Sequence, residues 1–366
     1  MKCTSRNSPA SLPMDPQDLR YAANRTITQR EDFVSDSTGR PPFHVHVHGY
    51  ALFASQFPEL LKADGWRVSN FESKGILSLA SKVKDLRRCD LAFTYGGRIT
   101  MGKFLWIARG LRTRKLVIFW AGTDTLHAKA NGGAGKLDPW IASKIHWAAT
   151  PWLAEEVRAF GVSCEYVPVN WAPTVLHPKP LPEKFSVLVY LPDMKKESLY
   201  GADRILEVAR SLPQIEFTVV GLREGRLEGA PPNMKIHGWV NDMTPFYENA
   251  SMLWRPVRHD GMSFMVLAAL AHGRHVLWSY PFTACSHAEG VNEARKELER
   301  LRALHAAGAL CVNEPGIKVI QENFSRERIR EGILKRWEEI ILSPSPQPLS
   351  SVAQRNRVAA LRGSGS

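Results

Sequence analysis

From Pro41 onward the chain alternates between two hydrophobic periods. Short apolar runs rich in β-branched and aromatic residues read as buried strands: FHVHVHG (43–49), WRVSNFE (66–72), CDLAFTYGG (89–97) and KLVIFWAGTD (115–124). Between them, YALFASQFPELLKADG (50–65), ILSLASKVKDLRR (76–88) and MGKFLWIARGLRT (101–113) place apolar positions at helical spacing. IHWAATPWLAEEVRAFGV (145–162) continues with a short strand and a helix, and CEYVPV (164–169) is a further strand. Strands alternating with helices of this length predict a parallel sheet covered on both faces.

NWAPTVLHPKPLPEK (170–184) carries four prolines, breaks the rhythm and reads as a linker. The alternation then restarts. Strands are predicted at FSVLVYLP, IEFTVVG, MKIHGWV, SMLWRPV and HVLWSY, and helices at GADRILEVARSL, DMTPFYENA and RHDGMSFMVLAALAHGRHV (258–276). The expected organisation is a mobile segment 1–40, an N-terminal Rossmann-like domain 41–175, a C-terminal Rossmann-like domain 176–325, a helix 326–345 crossing back to the first domain, and a mobile Ser/Pro-rich tail 346–366. The predicted class is therefore α/β, with two doubly wound domains facing a central cleft and ligands beyond the carboxyl ends of the strands. No short repeat is visible, and no apolar run is long enough to span a membrane. The opening MKCTSRNSPASLPMDPQDLR lacks the apolar stretch of a secretory leader.

Composition fits an ordinary soluble globular protein, with 44% hydrophobic and 23% charged residues in 366. The five cysteines (3, 89, 164, 285 and 311) are scattered without a CxxC pair, as expected of reduced thiols in a cytoplasmic protein. Charge changes the picture more. The net formal charge is +12, and between Glu72 and Lys115 eleven Lys/Arg face three Asp/Glu, a net of +8. So one-sided a face suits an anionic partner, whether membrane lipid, nucleic acid or a phosphorylated substrate. The helix around 101–115 mixes Trp106 with Lys103, Arg109, Arg112 and Arg114, a pairing suited to an anionic membrane surface or to a sheet-covering helix with a basic outer side.

The stretch PVRHDGMSFMVLAALAHGRHV (256–276) holds the densest candidate chemistry. A helix start offers unpaired N–H groups and a positive dipole end to a diphosphate, and Gly261 lets backbone approach a ligand closely. Gly261, Met262 and Ser263 would supply amides, Arg258 would neutralise phosphate, and Asp260 would accept hydroxyl hydrogen bonds or cap the helix. The order of these residues resembles the nucleotide-sugar motif of glycosyltransferase family 4, a retaining group of GT-B fold. The family pattern is proline, two or three variable residues, Glu-Gly, six variable residues, Glu-Ala, then Gly-x-Pro-Val. Pro256, Asp260-Gly261, Ala268-Ala269 and Gly273-x-His275-Val276 occupy those places. FWAGTDTL, ATPWLAEEVRAFGV with VPV, and MKIHGWVNDMTPFYENASMLWRPV are similar to further segments of the family, so the resemblance covers roughly 43–285.

The resemblance implies a donor site in the second domain and an acceptor site in the first. Ala268 stands where the family's ribose-holding glutamate would be, and a methyl accepts no hydrogen bond. The family's lysine before the first helix of the second domain falls at Tyr200, leaving Lys195 and Lys196 as candidate replacements. Gly49, at the end of the first strand, corresponds to a loop near the donor phosphates. FWAGTDTLH would place Asp124 and His127 toward the donor sugar or acceptor hydroxyl, although Asp124 also suits a turn or cap. No Asp-x-Asp occurs in the chain, which favours a metal-independent mechanism without a cofactor.

Two other motifs are weaker. His44, His46 and His48 share one strand face, which suits packing better than a barrel-type metal centre, since a second α/β unit follows. NGGAGKLD (131–138) departs from a phosphate loop at Ala130 and Leu137 and reads as a glycine-rich flap. The expected function is a retaining, metal-independent glycosyltransferase moving a sugar from a nucleoside-diphosphate sugar to a lipid-linked or polysaccharide hydroxyl. It would be cytoplasmic, with peripheral attachment at the inner face of the cell membrane. A DNA-modifying glycosyltransferase and a non-catalytic GT-B-like nucleotide or glycan binder or scaffold are the alternatives.

Overall fold

The structure is a computed structural model describing residues 43–49, 56–61, 66–70, 83–113, 115–192, 198–222 and 225–344. It divides into two compact units. Among the described residues, Asn170–Ile329 form one, and those from 43 to 169 together with those from Arg330 onward form the other.

The first unit contains β1 (His44–Gly49), α1 (Gln56–Leu61), β2 (Arg67–Asn70), β3 (Leu91–Tyr95), β4 (Leu116–Trp120), β5 (Ile145–Ala148) and β6 (Cys164–Tyr166). Its helices after α1 are α2 (Lys103–Gly110), α3 (Thr123–Ala130), α4 (Pro139–Ala142) and α5 (Pro151–Arg158). The strands form one sheet in the order β2-β1-β3-β4-β5-β6, and every pairing is parallel. β3 and β4 are buried at every position, as strands covered on both faces must be.

The last helix, Arg326–Leu342, places its C-terminal part in this unit. Trp337 is fully buried, with ring centroids 5.6 Å from Phe93, 6.0 Å from Phe57 and 6.2 Å from Trp66. The Lys115 ammonium donates to the carbonyls of Ile340, Ile341 and Ser343, placing a cation at the negative end of the helix dipole.

The second unit contains β7 (Ser186–Tyr190), α6 (Ala202–Ser211), β8 (Glu216–Val220), β9 (Met234–Ile236), α7 (Thr244–Glu248), β10 (Met252–Arg255), α8 (Phe264–Ala271), β11 (His275–Trp278) and β12 (Ser286–His287). α9 (Val291–Ala306) and α10 (Glu314–Val319) follow, and α11 is the last helix, Arg326–Leu342. The sheet order is β12-β11-β10-β7-β8-β9, again all parallel. β7 is central: the chain winds from it to β8 and β9 on one side, then to β10, β11 and β12 on the other. The sixteen-residue α9 was not among the predicted helices. Its buried face is sparse, with Ala294, Leu298 and Leu301 among many charges, which masks the apolar stripe.

The Pro-rich segment is fixed to this unit by Arg274, which is 1% exposed. Its guanidinium donates to the carbonyls of His272 (2.8 Å), Pro180 (3.1 Å), Ala250 (3.3 Å) and Lys179. Among the described residues Cys89, Cys164 and Cys285 are free thiols. No helix among the described residues is long and apolar enough to cross a membrane.

His146 gives the first unit a pH dependence. The Trp120 indole N–H donates to its Nδ1 at 3.0 Å, so Nδ1 must be an acceptor and the ring proton sits on Nε2, 2.9 Å from the Ile141 carbonyl. Burial lowers its pKa from 6.5 to about 4, against the Ile141 carbonyl, which raises it. A depressed folded-state pKa gives stability that is present above the unfolded value and lost as pH falls toward the folded one. Unfolding free energy is therefore expected to fall by about 3 kcal/mol between pH 6.5 and 4 from this group. Denaturant titrations at pH 7 and pH 4.5 measure it, and His146→Gln should flatten that limb.

Candidate functional site

In the second unit the winding reverses between β7 and β10, and ligands in open α/β sheets bind beyond the strand ends at such a point. The two loops leaving these strands are laced together. The Arg258 N–H donates to the Leu199 carbonyl at 2.8 Å. Gly201 has φ +73°, and a Cβ there would stand 2.2 Å from the Pro256 carbonyl oxygen, so only glycine permits the approach. Arg204 Nη1 reaches the same carbonyl at 3.5 Å.

A buried ion pair lies beneath this lacing. Arg255 ends β10 with its side chain 9% exposed, and Asp260, at 13%, receives it through both oxygens: Nε to Oδ2 at 2.5 Å and Nη2 to Oδ1 at 3.0 Å. The guanidinium also lies 5.3 Å from the Tyr200 ring centroid, within cation–π range. Burial works against the charged form of Arg255, but Asp260 and then Tyr200 outweigh it and hold the pKa above its ordinary value. The Asp260 N–H donates to the Tyr280 hydroxyl at 3.3 Å. Arg258, expected as a phosphate cation, makes a bidentate pair with Asp203 at 3.0 and 2.6 Å and also donates to the Ser198 carbonyl. This second pair is solvent-exposed, so it is weak and exchangeable.

The helix is shorter than the pattern over 258–276 predicts. α8 begins at Phe264, and the Ser263 hydroxyl caps it by accepting the Val266 N–H at 3.4 Å. Gly261 and Met262 lie in the buried loop ahead of it, and the Met262 carbonyl accepts from Asn170 Nδ2 at 2.8 Å. The Arg255 bond draws Asp260 toward the sheet and keeps 258–262 out of the helix. Ala268 sits inside α8 and is buried. Lys195 and Lys196 lie outside the described residues, as does Arg114.

In the first unit Gly49 ends β1 opposite Tyr95. Asp124 lies in the first turn of α3, and its carboxylate accepts four backbone N–H groups: Gly97 at 2.7 Å, Gly122 at 2.8 Å, Ala121 at 2.9 Å and Thr125 at 3.0 Å. Burial pushes its pKa up, and those four donors pull back toward the charged form. The turn-and-cap reading describes this geometry, with the carboxylate binding the ends of β3 and β4 into one corner. His127 lies one turn along α3 and is exposed. His44 Nε2 and His46 Nδ1 each lie 2.9 Å from Ser69 Oγ, and His48 stacks on Phe104 at 4.1 Å. Among the described residues, no three or more His, Cys, Asp or Glu are grouped to hold a metal ion.

α2 buries Phe104, Leu105 and Ala108 and exposes Lys103, Trp106 and Arg109; Arg112 follows, also exposed. Trp106 is 59% exposed with Arg109 at 5.7 Å from its ring, and Lys144 lies 4.5 Å from the Trp140 ring centroid. Burial, then Arg109, lowers the Lys144 pKa, so both cation–aromatic pairs belong to one electrostatic neighbourhood.

Arg255, Tyr200 and Tyr280 were not singled out as site residues in the sequence. The available signal was a lone charge ending the apolar strand SMLWR. Asp260→Asn leaves a buried cation without its counter-charge and should destabilise the chain by roughly 3–5 kcal/mol, with most of the loss recovered by adding Arg255→Met. Denaturant unfolding of the single and double variants checks this, and an Asp260→Asn protein as stable as the parent would remove the ion pair from the account.

Residues 186–299 match the family model described as "Glycosyl transferases group 1". No curated protein sequence matches the chain. Among solved structures, the sucrose-phosphate synthase (tll1590) from Thermosynechococcus elongatus superposes with a TM-score of 0.59 at 12% identity, covering 81% of this chain and 99% of that one. A glycosyltransferase from Rickettsia africae ESF-5 gives 0.57 at 9% identity, covering 83% and 100%. Anabaena Alr3699/HepE, solved in complex with UDP and glucose, gives 0.53 at 11% identity, covering 81% and 99%. The chain thus has the GT-B fold of two Rossmann-like domains, and its residues 186–299 are similar to the group 1 glycosyltransferases.

Proposed function

We propose that this protein is a retaining glycosyltransferase moving a sugar from a nucleoside-diphosphate sugar to a hydroxyl acceptor. The observation that carries the reading is the switch-point loop of the family-matched unit, where Gly261, Met262 and the cap Ser263 precede α8 beside the buried Arg255–Asp260 pair. The diphosphate is met by the positive end of α8 and by Arg258, whose exposed bond to Asp203 exchanges for phosphate at little cost. Lys195 and Lys196 are further candidate cations. Asp260, a carboxylate at the switch-point loop, takes a donor-sugar hydroxyl. No divalent ion or other cofactor is required in this scheme. Asp124 acts by positioning the β4–α3 corner near Gly49, and His127 meets the acceptor.

The acceptor is a lipid-linked or polysaccharide hydroxyl at the cytoplasmic face of the cell membrane. Supporting this is the α2 surface, where Lys103, Arg109 and Arg112 accompany the exposed Trp106, with Arg114 two residues further along the sequence. Changing Arg109, Arg112 and Arg114 to Glu should abolish binding to anionic liposomes; unchanged binding removes the membrane assignment. A salt-dependent gel shift with duplex DNA, absent with liposomes, would favour the DNA-modifying alternative.

A second reading, a non-catalytic nucleotide or glycan binder or scaffold, is favoured by Ala268, which gives the ribose no acceptor. Screening nucleotide sugars for released nucleotide, UDP-sugars first because Anabaena Alr3699/HepE is solved with UDP and glucose, separates the two. Turnover supports the enzyme. Tight nucleotide binding without turnover, in the parent and in Ala268→Glu, supports the binder.

A further inference from the structure

The first sheet has its own reversal of winding. In the order β2-β1-β3-β4-β5-β6 the chain passes from β1 outward to β2, then returns to the far side of β1 at β3. A crevice therefore opens beyond the carboxyl ends of β1 and β3. The loop that leaves β3 there, residues 96–102, is fastened at three points. The Gly96 N–H donates to the Phe119 carbonyl at 3.0 Å, the Gly97 N–H to Asp124 Oδ2 at 2.7 Å, and the Asp138 N–H to the Ile99 carbonyl at 2.8 Å. Gly97 also presses on the buried Trp120, whose ring would stand 2.0 Å from a Cβ at that position, so glycine is required there.

Arg98 sits between these anchors. Gly97 and Ile99 on either side of it are buried, whereas Arg98 is exposed. Its guanidinium lies over Gly102: a Cβ there would be 2.0 Å from Nη1, so the missing side chain at 102 makes room for the group. Among the described residues no carboxylate pairs with Arg98. Asp124, which holds the loop, is itself committed to four backbone N–H groups. The exposed Lys103 adds a second positive charge next to Gly102. A guanidinium with an anchored backbone, a seat for its side chain and no internal anion suits a planar, bidentate contact with a phosphate or carboxylate.

We propose that Arg98 binds an anionic group of the acceptor, a phosphate or a carboxylate, and so restricts transfer to acidic acceptors. This rests on the glycosyl-transfer reading and narrows its acceptor. The Asp124 carboxylate that holds Gly97 also holds the first turn of α3, the helix that carries His127. The anion contact and the residue assigned to the acceptor are thus tied to one group.

Calorimetric titration of the full chain with sn-glycerol 3-phosphate and D-glucuronate, each against its neutral counterpart glycerol or D-glucose, tests the proposal and tells phosphate from carboxylate. The acid that binds should be weakened roughly 10-fold or more by Arg98→Gln, with the unfolding midpoint unchanged, and Arg98→Lys should recover part of the loss. Gly102→Ala keeps the charge but displaces the guanidinium, and should weaken the same acid. Acids bound by the parent no better than their neutral counterparts, or bound equally by Arg98→Gln, would overturn the proposal. So would parental affinity in Gly102→Ala beside a weakened Arg98→Gln, which would reduce Arg98 to part of a diffuse positive field. UDP, ADP and GDP are titrated in parallel. If none of them binds while acid binding still depends on Arg98, the glycosyl-transfer reading fails and the anion site stands.

Discussion

The Arg255–Asp260 pair joins the end of a central strand to the loop that crosses the switch point of the second sheet. A guanidinium with under a tenth of its surface exposed needs a fixed anionic partner. Meeting that need sets the path of 256–263. Pro256 then presents its carbonyl to the glycine at 201, Arg258 is turned outward toward Asp203, and the helix cannot start before Ser263. The first unit solves a similar problem with opposite charge: the Asp124 carboxylate gathers four N–H groups from the ends of two strands and the start of one helix.

Much of this was legible in the sequence because buried parallel strands are near-continuous apolar runs. β3, β4, β7 and β10 are such runs. α9 was missed because its buried positions, Ala294, Leu298 and Leu301, are few beside its charges. The site was legible in outline only. DGMS could be placed at a helix start, with Ser263 directly before the apolar run Phe264–Ala271, but nothing in the run marks Asp260 as the partner of Arg255. Partner choice was hidden as well. Arg255 and Arg258 are three residues apart, and only the direction of the strand end assigns Asp260 to one and Asp203 to the other.

The family resemblance of 256–276 and the geometry meet at the same residues but emphasise different ones. Resemblance singles out Asp260, Ala268 and the glycines. Geometry adds the side chains that make Asp260 what it is, namely Arg255, the Tyr200 ring beneath the guanidinium, and the Tyr280 hydroxyl that receives the Asp260 amide. A short acid held by a buried base is stiffer than a longer, solvated glutamate, because two parallel hydrogen bonds fix its plane.

Arg274 carries a different consequence. Its charge has no carboxylate partner among its hydrogen bonds, only a ring of carbonyls, and two of those belong to the proline-rich segment at Lys179 and Pro180. The guanidinium can leave water only when that segment is already in place, since half of its new solvation shell comes from there. Completion of the second sheet and docking of the segment ahead of it are therefore one cooperative event. A nick in the chain near Lys179 would register as a loss of stability across the whole unit, far from the cut.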